Sequence, residues 1–181
     1  MGGWIFAYGS LMWDPGVPVC ESVIARLDGF ARSFCLRSVR HRGTPEAPGL
    51  VLGLEEAAGA CCTGLAFRVG APDWDEALAN LRERELVTAA YREQVVPLAL
   101  EDGRRVEAVA YVMKLGHDQH VQGLSHDEQA AIIARAHGGR GPNADYLFNT
   151  VAHLDRLGLP DADLDGLARR VRALMAGQGA A

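Results

Sequence analysis

Two Asp-Gly dipeptides, Asp28-Gly29 and Asp102-Gly103, constrain this chain more than any other feature. Each lies between apolar, β-prone runs: residues 23–27 and 30–36 around the first, 91–100 and 106–113 around the second. A type I′ turn needs positive φ at both central residues, which Asp-Gly supplies, so each dipeptide predicts a hairpin. Short strands are also predicted at 4–7, 50–54 and 63–69, the last two around a Gly/Ala-rich turn. Between them, residues 42–49 read as a loop from their Pro and Gly content. A helix follows Pro72, with Asp73 and Glu76 in a capping-box pattern. Three further helices are expected, one capped by Ser125 and running to His137, one from Asn143 to Leu157, and one from Leu164 to Met175. Gly138, Gly158 and Gly177 are read as their stops. Strands, helix, hairpin, then helices is not a regular β-α alternation. The expected class is therefore α+β rather than a doubly wound sheet.

The chain has 181 residues, 49% hydrophobic and 23% charged. That is about one domain's worth, long enough to bury a core without staples, so residues 1–181 are expected to form a single domain with a helical part at about 125–177. Eighteen basic against 23 acidic side chains give a net charge of -5. Such a balance has no general attraction for nucleic acid or an anionic membrane, and neither is an expected partner. Lys114 is the one lysine and is followed by Leu115, which excludes a Walker-type phosphate loop. Cys20, Cys35, Cys61 and Cys62 include no Cys-x-x-Cys pair, so a zinc ribbon or thioredoxin motif is excluded. The first residues show no basic region and no long apolar stretch, which reads as no secretory signal. The uncharged run 57–67 is far short of the roughly 20 residues of a membrane span. A reducing cytoplasm is the expected location, with the cysteines as small core residues.

Four features could carry chemistry. Tyr8-Gly9-Ser10-Leu11 sits where an apolar strand stops, and backbone N–H groups at such a turn can hold a carboxylate or oxyanion. A plain strand-to-loop turn fits the same spacing. Glu85 shares a helix face with Trp74, Leu78 and Leu81, whereas Glu83 lies roughly 200° away. A carboxylate near apolar walls and a helix C-terminus is disfavoured as an anion, which suits a proton shuttle. The alternative is that the helix has ended by Arg84 and Glu85 simply pairs with an arginine. Residues 22–45 carry Arg26, Arg32, Arg37, Arg40 and Arg42 against Asp28 alone, a local +4 that leaves -9 for the remainder. Such a cluster can clamp a small anion, or it can simply be solvated strand charge. His117, Asp118 and His120 lack a fixed metal-ligand geometry, and a triad from Ser10 with His41 or His126 lacks a Gly-x-Ser-x-Gly elbow. No metal is expected.

Taken together, Phe6-Ala7-Tyr8-Gly9-Ser10-Leu11-Met12-Trp13, Arg42-Gly43-Thr44-Pro45-Glu46, Arg84-Glu85 with Tyr91, and Asn143-Ala144-Asp145-Tyr146 resemble the ChaC-like γ-glutamylcyclotransferases. The resemblance covers about residues 4 to 157. It implies a small mixed β-barrel with flanking helices. It also implies cleavage of glutathione to 5-oxoproline and cysteinylglycine, without a cofactor. By motif match it gives Glu85 the catalytic position. Phe6, Ala7, Tyr8, Gly9, Ser10 and Leu11 take the substrate loop, with Arg42 and Tyr146 as further substrate-binding residues. Ala7 stands where relatives often carry glycine, and His120 where many carry tyrosine. Three alternatives stay open: a cyclotransferase for other γ-glutamyl amino acids or amines, a non-catalytic γ-glutamyl-binding module, and a serine hydrolase using Ser10.

Overall fold

Asp102-Gly103 makes the hairpin its sequence calls for. In the computed structural model, which describes residues 2–178, strands β4 (Tyr91–Leu100) and β5 (Arg105–Met113) pair antiparallel from Tyr91↔Met113 to Ala99↔Arg105. Gly103 has φ +90°, and the Asp102 carboxylate accepts from the Arg104 N–H at 3.1 Å. Asp28-Gly29 behaves differently. It lies inside one continuous strand, β2 (Glu21–Ser38), so the hairpin expected there does not form. Gly29 still has φ +82°. A left-handed glycine within a strand marks a bulge, which bends the strand without ending it. The expected pair of strands at 50–54 and 63–69 is likewise one strand, β3 (Gly49–Val69), with Gly59 at φ +78°.

With β1 (Gly3–Ala7), these strands close a mixed barrel in the order β1-β3-β2-β4-β5. β1 is antiparallel to β3, from Gly3↔Val69 to Ala7↔Leu65, and parallel to β5 at Trp4↔Ala108 and Ile5↔Val109. The α+β barrel expectation therefore holds. By Cα proximity the chain forms two compact units, each built from two segments. The first takes the chain up to Ser33 with Gly53–Asp118, and the second takes Phe34–Leu52 with Gln119 onward. Both β2 and β3 run through the dividing positions.

The first unit buries Phe6, Leu27, Leu54, Ala66, Leu98, Ala110 and Val112 in a shared core. Alternation along the strands aims these side chains to one side of the sheet. Its helix α1 (Trp74–Glu85) buries Ala77 and Leu81. Gly3 makes room for this helix, because a Cβ there would lie 2.4 Å from the Trp74 ring. The expected Asp73 capping box is not made: Asp73 has near-helical φ/ψ and no side-chain cap bond. Its backbone is held instead by Asp73 N–H donating to Gly70 O at 3.2 Å.

The second unit contains helices α2 (His126–Ile133), α3 (Asn143–Arg156) and α4 (Ala162–Gln178), and the short strands β6 (His137–Gly138) and β7 (Gly141–Pro142). Ser125 and Glu128 make a complete capping box at α2. α2 stops at Ile133, four residues short of the expected His137, because the chain turns to meet residues 40–43. Gly139 and Arg140 N–H groups donate to the carbonyls of Arg40 and His41, both at 2.8 Å. A Cβ on Gly138 would lie 2.4 Å from Gly43 N. At the start of α3, the Asn143 amide makes both backbone bonds of Leu50, at 2.7 Å each. α4 passes through Gly177, which does not close it.

Candidate active site

β1 delivers its last residues into a turn. Phe6, Ala7 and Tyr8 are buried, and a short 3-10 turn, Ser10–Met12, follows Gly9. Its closing bonds run from Met12 N–H to Gly9 O (2.9 Å) and from Trp13 and Asp14 N–H to Ser10 O (3.2 and 3.0 Å). The first N–H groups of such a turn, at Ser10 and Leu11, have no acceptor within it. Tyr8 anchors the entry: its phenol donates to Tyr111 O at 2.8 Å. Two arginines hold this loop from outside. Arg32 Nη1 donates to Tyr8 O at 3.2 Å. Arg84 donates from Nη1 to Asp14 O at 2.8 Å and from Nη2 to Ser10 Oγ at 3.2 Å.

Glu85 is the last residue of α1, as the spacing predicts, and its side chain is 17% exposed while Glu83 faces solvent. A carboxylate there opposes the partial negative charge of the helix C-terminus. Arg84 Nε lies 3.2 Å from Glu85 Oε1 and offsets this. The helix thus runs through Glu85 rather than ending by Arg84, and Glu85 is half-buried and paired with an arginine. Tyr111 belongs to the same surroundings. Its hydroxyl donates to Glu93 Oε2 at 3.3 Å, and Glu93 in turn is bound in a fork by Arg82 at 2.7 Å to both oxygens. Burial, then the Glu93 and Glu85 charges, push the Tyr111 phenol far above its ordinary pKa, so it stays protonated. The Arg82 fork holds the Glu93 carboxyl below its ordinary range.

Residues 6–11 and Glu85 therefore fall in one unit and are joined through Arg84. Arg42 and Tyr146 fall in the second unit, beside one another. The Arg42 guanidinium lies 5.8 Å from the centre of the Tyr146 ring and donates to Pro142 O at 3.0 Å. Burial pulls its pKa down. The Tyr146 hydroxyl accepts from Leu52 N–H at 3.3 Å, and its ring meets Phe34 edge to face. The local +4 disperses into separate contacts: Arg26 pairs with Asp28 at 2.7 Å, Arg32 takes Tyr8 O, and Arg42 covers Tyr146. Arg32 and Arg84 are the contributors that sequence reasoning left out of the loop. Arg84 was visible only as one half of the Arg-Glu motif.

A model of the ChaC-like protein family matches residues 3–174. The chain belongs to the ChaC-like family. Among ChaC-like relatives, the glutathione-specific γ-glutamylcyclotransferase of Escherichia coli K12 is 39% identical over 173 residues, covering 96% of this chain and 74% of that one. γ-Glutamylcyclotransferase 2-3 of Arabidopsis thaliana is 33% identical over 183 residues, covering 97% and 91%. The fold agrees with the crystal structure of a yeast γ-glutamylcyclotransferase specific to glutathione, with a TM-score of 0.87, 23% identity, and 95% and 96% of the two chains covered. At family level the activity is that of a γ-glutamylcyclotransferase. No helix among the described residues is long and apolar enough to cross a membrane, and no disulfide joins the four cysteines.

Proposed function

We propose that this ChaC-like chain is a glutathione-specific γ-glutamylcyclotransferase acting in a reducing cytoplasm, with Glu85 as its catalytic acid-base and no cofactor. The observation that carries this reading is the tie between Glu85 and the Tyr8–Leu11 loop through Arg84, within one unit. In the reaction the substrate's own α-amine is the nucleophile. Glu85 takes a proton from the α-ammonium, and the amine attacks the γ-carbonyl carbon to close a five-membered ring. The bond to the cysteine nitrogen breaks as Glu85 returns this proton to the leaving amine, and the ring nitrogen, which still carries two hydrogens, gives up its surplus proton through Glu85 to the same amine. The products are 5-oxoproline and cysteinylglycine. Intramolecular attack of this kind reaches high effective molarity once the γ-glutamyl group is held bent. The protein therefore has to fold the substrate and move two protons from the attacking to the leaving nitrogen. N–H groups at residues 9–11 hold the α-carboxylate or the developing oxyanion. Phe6, Ala7 and Tyr8 wall and support that loop. Arg42 and Tyr146, which the resemblance also implies as substrate-binding residues, each have a structural bond in their own unit.

The test is to incubate the protein with glutathione and with γ-glutamyl-alanine and to measure 5-oxoproline by mass spectrometry. Glutathione is expected to be turned over in clear preference. Equal turnover of both favours the broader γ-glutamyl reading, and none from either leaves a binding module. Glu85→Gln is expected to keep the thermal unfolding midpoint and nearly abolish 5-oxoproline. Near wild-type turnover in the folded variant removes Glu85 from the mechanism.

A further inference from the structure

We infer that Arg84 is a positioning residue: it fixes the Glu85 carboxylate relative to the Ser10 loop, so that base and oxyanion donors move as one piece. This rests on the cyclotransferase reading of the same site.

Neighbouring residues on a helix point about 100° apart and do not ordinarily face one another. Arg84 and Glu85 nevertheless meet at 3.2 Å. The Arg84 side chain is only 17% exposed, whereas an arginine at a helix end would ordinarily extend into water. What draws it in is the loop. Three nitrogens of one rigid, planar group are engaged at once: Nε with Glu85, Nη2 with Ser10 Oγ, and Nη1 with Asp14 O. Nη1 also lies 3.4 Å from Asp14 Oδ2. A guanidinium fixes the angles between its partners, which an ammonium does not. The left-handed turn at Gly16, φ +64°, brings the end of the loop back against the same group, 3.4 Å from where a Cβ would lie. Arg32 completes the arrangement at the other end of the loop. A trans peptide is planar, so pinning Tyr8 O also sets the opposite direction of the Gly9 N–H. Arg84 touches both the loop and the carboxylate.

Arg84→Gln and Arg84→Lys test this in the full chain, against glutathione, with 5-oxoproline as the readout and amide hydrogen exchange alongside. Small misplacement of reacting groups costs rate rather than affinity. Arg84→Gln is expected to lower kcat about 100-fold while KM changes less than about threefold. Arg84→Lys, which keeps the charge but cannot span all three partners, is expected to lower kcat about tenfold. Exchange should quicken at residues 9–14 and stay unchanged in β4 and β5. Should Arg84→Gln fail to fold, Arg84→Lys carries the test alone. A wild-type kcat in Arg84→Lys, an equal quickening of exchange across both units, or a rise in KM without loss of kcat overturns the inference and leaves the cyclotransferase reading standing. Absence of 5-oxoproline from the wild-type protein overturns both.

Discussion

Asn143 shows how much one side chain can hold. It is fully buried, and its amide makes the two backbone bonds of Leu50 that a neighbouring strand would otherwise make. Losing it leaves a buried donor and a buried acceptor without partners, at about 1–3 kcal/mol each. Asn143→Ala is expected to lower stability by about 2–4 kcal/mol in urea unfolding. Asn143→Asp, nearly the same shape, is expected to fare no better, because it cannot donate to Leu50 O and buries a charge. The same scale explains what the sequence made legible in the site. The half-buried place of Glu85 at the end of α1 was legible, since helical spacing decides which side a residue takes. The place of Arg84 was not, because position 84 points away from position 85 on any ideal helix. Its role comes from a loop seventy residues earlier in the chain, at Asp14. Spacing carries no information about such a contact.

Among the elements, the Asp-Gly dipeptides at 28–29 and 102–103 show where local sequence stops deciding. Both glycines adopt positive φ, as expected. The same backbone conformation serves a hairpin turn and a bulge. Which one forms depends on whether the following strand returns to its predecessor or continues. β2 continues and pairs with β4 at Ala25↔Leu100 and Arg26↔Ala99. The 21-residue β3 was read as two strands for the same reason, at Gly59. A Cβ at Gly29 would meet nothing within 4 Å, so Gly29→Ala is expected to cost only the backbone strain, about 1–2 kcal/mol. Gly138→Ala should cost more, since its Cβ would strike the backbone of residues 41 and 43 at 2.4–2.5 Å. Comparing the two unfolding free energies checks that order. The link between α1 and β4 is electrostatic and carries a pH signature. The Arg82 fork depresses the Glu93 carboxyl in the folded protein. Its contribution is therefore present above the unfolded carboxylate pKa and is lost as pH falls through the lower folded value. The stability difference between wild type and Glu93→Gln is expected to be largest near neutrality and to shrink below about pH 4. A constant difference across that range removes the ionised fork as its source.

For the molecule as a whole, the α+β class was legible, because the order of strand and helix signals does not alternate, whereas the mixed barrel came from the family resemblance. The division into two interleaved units was not. Domain boundaries are read from linkers, and here the dividing positions fall inside β2 and β3, where the strand pattern runs on unbroken. The net charge offers no general attraction for polyanions, yet no sum reveals that Arg26, Arg32 and Arg42 go to separate contacts. The parallel pairing of β1 with β5 bears on how the protein is made. Residues 4 and 5 leave the ribosome first, and their partners at 108 and 109 follow more than a hundred residues later. Pairing at that separation is slow to form, and until it does the edge of β1 is open to other chains. A nascent chain stalled with residues 1–104 outside the tunnel is expected to stay protease-sensitive. One exposed through residue 118 is expected to become resistant in its first unit. During that interval the strand leading into the substrate loop waits unpaired on one side, an apolar edge exposed on the growing chain.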